Sequence, residues 1–234
     1  MSSAGALEQL ARRYRLSGPQ AAQLRLLGDY IASDAHAPTS ARARAAVDVH
    51  IADSLVGLEL DALARAGRIV DIGSGAGFPG LPLAVALPAA TVRLVESQSR
   101  RCVFLELAVA ETGATNVAVV CARVEEWGEG QAVNDAVVAR ALAQQAVVLE
   151  YAAPLLRVGG ALVDWRGRRS APEEEQALRA AEELGLEREE VQRVSPYAEA
   201  EERHLHLYLK VRATPARFPR RAGVARRRPL GAAR

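Results

Sequence analysis

Apolar residues along the first sixty positions fall at helical intervals. Leu7, Leu10, Ala11 and Tyr14 form one stripe, and Leu24, Leu27 and Ile31 form another; this is the spacing of a one-sided helix. Ser17 and Gln20 stand three apart ahead of the second stripe, as in a capping box. Pro38-Thr39-Ser40 breaks the pattern and is placed to cap a third helix over about 41–58. Residues 1–66 are therefore predicted to be a helical segment. From Arg68 the period changes. Short β-branched runs predict strands near 68–72, 91–96, 116–121, 135–139 and 160–165, with helices between them near 79–87, 98–112, 143–156 and 172–184. That alternation predicts an α/β fold on a parallel sheet. Two further strands are expected near 187–194 and 203–211. In the last of them, His204 to Val211 alternates strictly, which suits an antiparallel strand with one wetter face. The glutamate-rich stretch 173–202 reads as solvated helix and loop. After Val211 periodicity stops, and the proline-punctuated basic residues 212–234 are predicted to be an extended tail on the 67–211 domain.

Within this pattern one stretch carries chemistry. Arg68-Ile69-Val70-Asp71-Ile72 reads as a short buried strand, and Gly73, Gly75 and Gly77 follow at alternate positions. Pro79 suits the first turn of the helix that begins after them. Strand, glycine loop and helix form the architecture of a nucleotide-type site at the carboxyl edge of a parallel sheet; a bare tight turn is the plainer alternative. Counted from Gly73, the dinucleotide pattern G-x-G-x-x-G would need glycine where Phe78 stands. The register D-x-G-x-G-x-G, with Asp71 as its acid, fits better and looks like the S-adenosylmethionine loop of class I methyltransferases. Some 20 residues on, Glu96 ends the next predicted strand. A carboxylate there can accept both hydrogen bonds of a ribose diol; the alternative is a solvent-facing strand-end acid.

Composition narrows the class. The chain has 234 residues, half of them apolar and a quarter charged, as a globular protein should. No apolar run approaches the roughly 20 residues of a membrane span, and the N-terminus lacks a basic start and an apolar signal core. The expectation is a cytoplasmic protein without a membrane partner. Cys102 and Cys121, both in apolar contexts, read as small core residues. His204 and His206 share a strand face without a third ligand nearby, so no metal is expected. The net charge of +2 conceals a split: residues 212–234 hold eight arginines and no acid, and removing those eight leaves the remainder at −6. A basic tail on an acidic body suggests a polyanion partner.

Several motifs together give a resemblance. They are Val49-His50-Ile51-Ala52-Asp53-Ser54-Leu55, Asp71 to Gly80 with its Phe-Pro-Gly end, Ser99 to Leu105, Arg123-Val124-Glu125-Glu126, Ala139-Arg140-Ala141, Arg203-His204-Leu205 and Phe218-Pro219-Arg220-Arg221-Ala222-Gly223. From about residue 20 to 230 the chain resembles the RsmG (GidB) family of bacterial 16S rRNA 7-methylguanosine methyltransferases. The resemblance implies a class I methyltransferase fold with a seven-stranded mixed sheet. It also implies S-adenosylmethionine as cofactor, and as substrate one guanosine of 16S rRNA near the decoding site, on naked RNA or the small ribosomal subunit. The family's cofactor contacts fall on Gly73, Phe78, Val124, Glu125 and Arg140, to which Glu96 is added from its position. Arg140, at a strand end beside the cofactor, is the candidate catalytic residue, with a plain ion pair as its alternative. His50, Asp53, Arg166, Arg220 and Arg221 are candidates for RNA contact. Two departures stand out. Relatives often have Lys-Gly where this chain has Arg166-Gly167, and Asn-Leu-Thr where it has Ala37-Pro38-Thr39-Ser40. Guanine nitrogen 7 has a lone pair and no proton to lose, so positioning and not a general base is expected to carry the reaction. A nicotinamide-dependent oxidoreductase and a non-catalytic RNA-binding protein are the alternatives. The tail could bind rRNA phosphates or fold back over the domain.

Overall fold

The computed structural model describes residues 3–33, 37–38, 47–198 and 200–232. Helices α1 (Ser3–Arg13), α2 (Gly18–Ser33), α3 (Val47–Leu55) and the single turn α4 (Asp61–Ala64) lead into β1 (Arg68–Ile72). Then follow α5 (Gly80–Ala86), β2 (Thr91–Glu96), α6 (Ser99–Thr112), β3 (Val117–Cys121) and β4 (Asn134–Arg140). The remainder is α7 (Gln145–Ala152), β5 (Leu156–Arg166), α8 (Ala171–Leu184), β6 (Leu186–Arg193), β7 (His204–Lys210) and a last turn, α9 (Val224–Arg227). The cap expected at Thr39-Ser40 lies outside the described residues.

The seven strands form one sheet in the order β3-β2-β1-β4-β5-β7-β6. The first five are parallel, and β7 inserts antiparallel between β5 and β6. Alternate residues of the strands face two cores. Ile69, Ala136 and Val138 pack under α1–α6, whereas Val70, Val137 and Ala139 pack under α7–α9. The N-terminal helices are thus part of the domain's own core: Leu27, Ile31, Ile51 and Leu55 are fully buried in the same cluster as Leu83 and Leu94. The capping box forms as expected, the Gln20 N–H donating to Ser17 Oγ and the Ser17 N–H to Gln20 Oε1. Gln20 Nε2 also donates to the Val85 and Ala86 carbonyls, tying α2 to the free end of α5.

Four expectations are corrected. First, β7 has no wet face. His204 and His206 are buried, because β7 is an inner strand covered on both sides. Second, Cys102 is buried as expected, but it is joined by a disulfide between α6 and β3 to Cys121, which is exposed. Third, the glutamate-rich stretch is not wholly solvated: Glu174 is buried, gripped by both Arg169 and Arg188. Fourth, the basic tail is not extended. Phe218 and Ala225 enter the second core, and Arg220 forms a bidentate pair with Glu150, at 2.8 Å from Nε to Oε1 and 2.5 Å from Nη2 to Oε2. Glu150 is 1% exposed on the apolar helix α7. A buried carboxylate needs a cationic partner, and the tail supplies it. Arg220, expected as a candidate for RNA contact, is thus held by Glu150 and anchors the segment to α7.

The buried charges make stability testable in two ways. Arg220→Ala leaves Glu150 buried and unpaired, which should cost about 3 kcal/mol. Arg220→Met combined with Glu150→Leu should recover most of it, as read from urea unfolding of the two variants. The second test concerns Asp164, which faces His206 across β5 and β7. Burial pushes Asp164 up to about 7 with Glu173 adding and Arg166 opposing, burial likewise pushes Asp71 up to about 7, and burial pushes His206 down to about 4. A raised acid keeps its proton in the folded chain where the unfolded chain has lost it, so stability falls as pH rises from about 4 to 7. A lowered histidine acts oppositely between about 4 and 6.5. Two acids against one histidine give a net fall, and Asp164→Asn should flatten it across that range. Unfolding free energies at pH 4.5, 5.5 and 6.5 check this; an unchanged slope would mean that Asp164 titrates normally.

Candidate functional site

The glycine loop between β1 and α5 is tied to both strands beneath it. The Gly73 and Ser74 N–H groups donate to the Val95 carbonyl at 2.8 and 3.2 Å, and Ser74 Oγ donates to the Asp71 carbonyl. Asp71 Oδ2 accepts the Gly80 N–H at 2.9 Å, which closes the loop onto the start of α5. Its other oxygen, Oδ1, is buried with no hydrogen-bond partner among the described residues. Gly73 has φ +71°, and a Cβ there would lie 2.4 Å from Leu142 Cδ1. Only glycine meets both conditions without strain.

Glu96, at the end of β2, is buried. Its Oε1 accepts the Ser97 and Gln98 N–H groups at 2.8 and 2.9 Å, and its Oε2 accepts the Gly75 N–H at 3.2 Å, with Arg101 at 3.7 Å. A carboxylate has about four acceptor positions. Three are taken by the backbone, so Glu96 orders the loop and has about one acceptor position left. Beside it lies a cavity of about 350 Å³ lined by Gly73, Val95, Gln98, Val124, Glu125 and Arg226, among others. Val124 and Glu125 stand in the single helical turn Val124–Glu126 after β3. The sequence placed these two here; it did not place Arg226 or Tyr151, which also line the cavity.

A second cluster stands at the end of β4. Arg140 Nη1 donates to Asp53 Oδ2 at 2.8 Å and to the His50 carbonyl at 3.4 Å. The guanidinium lies over the Phe78 ring, 5.1 Å from its centroid, and the His50 ring lies 5.5 Å from the same ring. The structure thus brings His50, Asp53, Phe78 and Arg140 together from three distant stretches. Two members were not anticipated as site residues. Arg203 approaches Asp53 Oδ1 at 3.5 Å, and Trp165 Nε1 donates to the Asp53 carbonyl at 2.7 Å. Ala141, next to Arg140, holds a left-handed φ of 54°, a conformation costly for a non-glycine residue, and it turns the chain from β4 toward Leu142. Arg166 is placed otherwise. It donates to the Ala143 carbonyl and pairs with Glu173, so it braces the β4–α7 connection. Arg221 is exposed.

The residues present fit S-adenosylmethionine. The cavity is nucleoside-sized, Gly73 in its wall admits close backbone approach, and its charged lining is mixed, Glu125 standing with Arg123 and Arg226 and Glu96 just beside it. The GidB family, described as rRNA small subunit methyltransferase G, matches residues 38–206. Among curated relatives, the ribosomal RNA small subunit methyltransferase G of Rubrobacter xylanophilus is 43% identical over 189 residues, covering 77% of this chain and 72% of the relative. The protein of the same name from Syntrophomonas wolfei is 41% identical, covering 79% and 86%. Among solved structures, that of M. jannaschii TYW2 in complex with AdoMet aligns with TM-score 0.51 at 18% identity, covering 68% of this chain and 77% of that one; at that identity the likeness concerns the fold.

The loop geometry predicts two binding outcomes. Gly73→Val should abolish S-adenosylhomocysteine binding while leaving a cooperative melting transition, because the clash is with one flexible leucine. Glu96→Gln should weaken binding about ten-fold or more, since it removes charge-assisted bonds to the loop and to the ligand alike. Calorimetric titration checks both, and wild-type affinity in either folded variant would remove that residue from the site.

Proposed function

The chain belongs to the rRNA small subunit methyltransferase G family, and from that premise we propose how its residues perform the transfer. It is an S-adenosylmethionine-dependent methyltransferase acting on small-subunit rRNA. We assign the acceptor as ring nitrogen 7 of one guanosine in 16S rRNA near the decoding site, with the cytoplasm as the place of action. No helix among the described residues is long and apolar enough to cross a membrane. The observation that carries the assignment is the pairing of the glycine loop and its acids with the Arg140–Asp53–Arg203 cluster at the neighbouring strand end.

S-adenosylmethionine, when bound, supplies an electrophilic methyl group on a sulfonium. Gly73, Glu96, Val124 and Glu125 would hold it, with Asp71 beneath the loop. The guanine nitrogen attacks with its own lone pair, so no residue of the chain has to take a proton. What the chain must provide is alignment and a favourable field as positive charge passes to the purine. Arg140 is held in place by Asp53 and the Phe78 ring, which leaves further guanidinium donors for the guanine oxygen or a flanking phosphate. The Asp53 carboxylate, shared by Arg140 and Arg203, holds the Arg140 guanidinium in place. Because nitrogen 7 lies on the deep-groove edge of A-form RNA, the target should stand in a loop or an opened helix.

The direct test is mass spectrometry of 16S rRNA nucleosides, located by sequence, in cells with and without the gene. Loss of one 7-methylguanosine is expected; an unchanged pattern would refute the assignment. The C-terminal segment adds a second test. Arg221, Arg227 and Arg228 are exposed on a segment whose other side is packed on the domain. If they touch rRNA phosphates, replacing all three with alanine should flatten the slope of log affinity against log salt by about 0.7–0.9 for each phosphate no longer neutralised. The melting temperature should not change. A slope equal to that of the wild type would exclude them.

A further inference from the structure

The cofactor cavity has one wall that comes from neither the glycine loop nor the ends of the parallel strands. Arg226, on α9 near the C-terminus, lines it together with Glu125 and Leu142. Two hydrogen bonds fix the segment at that position. The Gly223 N–H donates to Glu125 Oε1 at 3.0 Å, and Arg226 Nη2 donates to the Leu142 carbonyl at 3.2 Å. Both acceptors belong to residues that themselves line the cavity. The segment is anchored separately, through buried Phe218 and the Arg220–Glu150 pair, so its approach to the cavity is held from two sides.

We propose that the C-terminal segment is a built part of the cofactor site, in which Arg226 binds the nucleoside end of S-adenosylmethionine and Glu125 positions the segment for it. This rests on the S-adenosylmethionine reading above. A guanidinium is planar and always charged, with five N–H donors. The Leu142 carbonyl accepts from Nη2, which leaves other donors and a flat face bordering the cavity. A purine offers ring nitrogens as acceptors and a π-face to such a group. Glu125, one of the residues that would hold the cofactor, has a second part to play: one carboxylate oxygen takes the Gly223 N–H, so its removal also acts through the segment. The cavity lies beside the Glu96 end of β2 and the Val124–Glu126 turn. The contact is therefore with the nucleoside and not with the amino-acid half.

Calorimetric titration of the full chain with S-adenosylhomocysteine, and with methylthioadenosine, which keeps the nucleoside and lacks the amino acid, tests this. Arg226→Ala should weaken both ligands by about five-fold, the low end for a charged hydrogen bond because the side chain is exposed. Its melting temperature should match that of the wild type. Arg226→Lys should recover part of the loss. Glu125→Gln should weaken both ligands and also speed tryptic cleavage after Arg226 and Arg227, a change that Arg226→Ala would not share at its remaining site, Arg227. If Arg226→Ala binds both ligands as the wild type does, or loses affinity only for S-adenosylhomocysteine, the proposal is overturned while the cofactor reading stands. If the unmodified chain binds neither ligand, the cofactor reading falls and this proposal with it.

Discussion

The hydrogen bond from the Gly80 N–H to Asp71 Oδ2 sets the geometry on which the site depends. It spans nine positions at 2.9 Å and is buried at both ends. A Cβ on Gly80 would lie 2.7 Å from that oxygen and 2.3 Å from Leu94, so the helix can meet the strand this closely only through glycine. The carboxylate stands at the N-terminus of α5, where the helix dipole favours negative charge. Burial nonetheless pushes the group up to about 7. With Asp71 holding one end of the loop and the Val95 carbonyl holding Gly73 and Ser74 at the other, the intervening residues have little freedom. Phe78 is thereby delivered to Arg140, and Gly73 to the floor of the cavity.

Charge is divided across the carboxyl edge of the sheet. Around the cavity the charges are mixed: Asp71 lies under the loop and Glu96 at its side, while Glu125, Arg123 and Arg226 line it. Arginines gather at the neighbouring strand end, where Arg140 and Arg203 share Asp53. An anionic acceptor would find a basic field there, on the strand next to the glycine loop. Asp53 links the two arginines. Its side chain pairs with both arginines, and its main-chain carbonyl is fixed by Trp165, so the α3 helix is locked to the sheet at the point where both arginines converge.

Much of this was legible in the sequence, for local reasons. The glycine loop, the strand ending at Glu96 and the capping box of α2 are written in short-range periodicity, and each forms within a residue or two of its expected place. The second cluster depends on contacts that no local pattern encodes. Arg203 reaches Asp53 because β7 returns antiparallel to β5, pairing Arg166 with His204. Trp165 meets a carbonyl 112 positions away. Alternation in β7 correctly implied a strand, but alternation cannot tell a wet face from one covered by a helix, and His206 is buried. The tail misled through composition. Eight arginines and scattered prolines suggest a chain that cannot pack, yet the second half of the pattern lay elsewhere: Glu150 is the one acid in the all-buried Gln145–Ala152 helix. A lone glutamate on such a helix requires a partner, and that was the available signal.

That partner also explains why a strongly basic segment packs against the domain without self-repulsion. Arg220 is neutralised by Glu150, Arg217 pairs with Glu183, and Arg212 donates to the Glu182 carbonyl. The charge of the segment is thus partly directed inward, onto α7 and α8, before any polyanion arrives. What remains outward is the shorter set Arg221, Arg227 and Arg228, carried on a backbone that Phe218 and Arg220 hold in place. A disordered basic tail would lose conformational entropy on ordering against RNA; here most of that ordering accompanies folding. The same anchoring places Gly223 and Arg226 at the cavity, so a single buried ion pair on α7 fixes both the inward and the outward faces of the C-terminal segment.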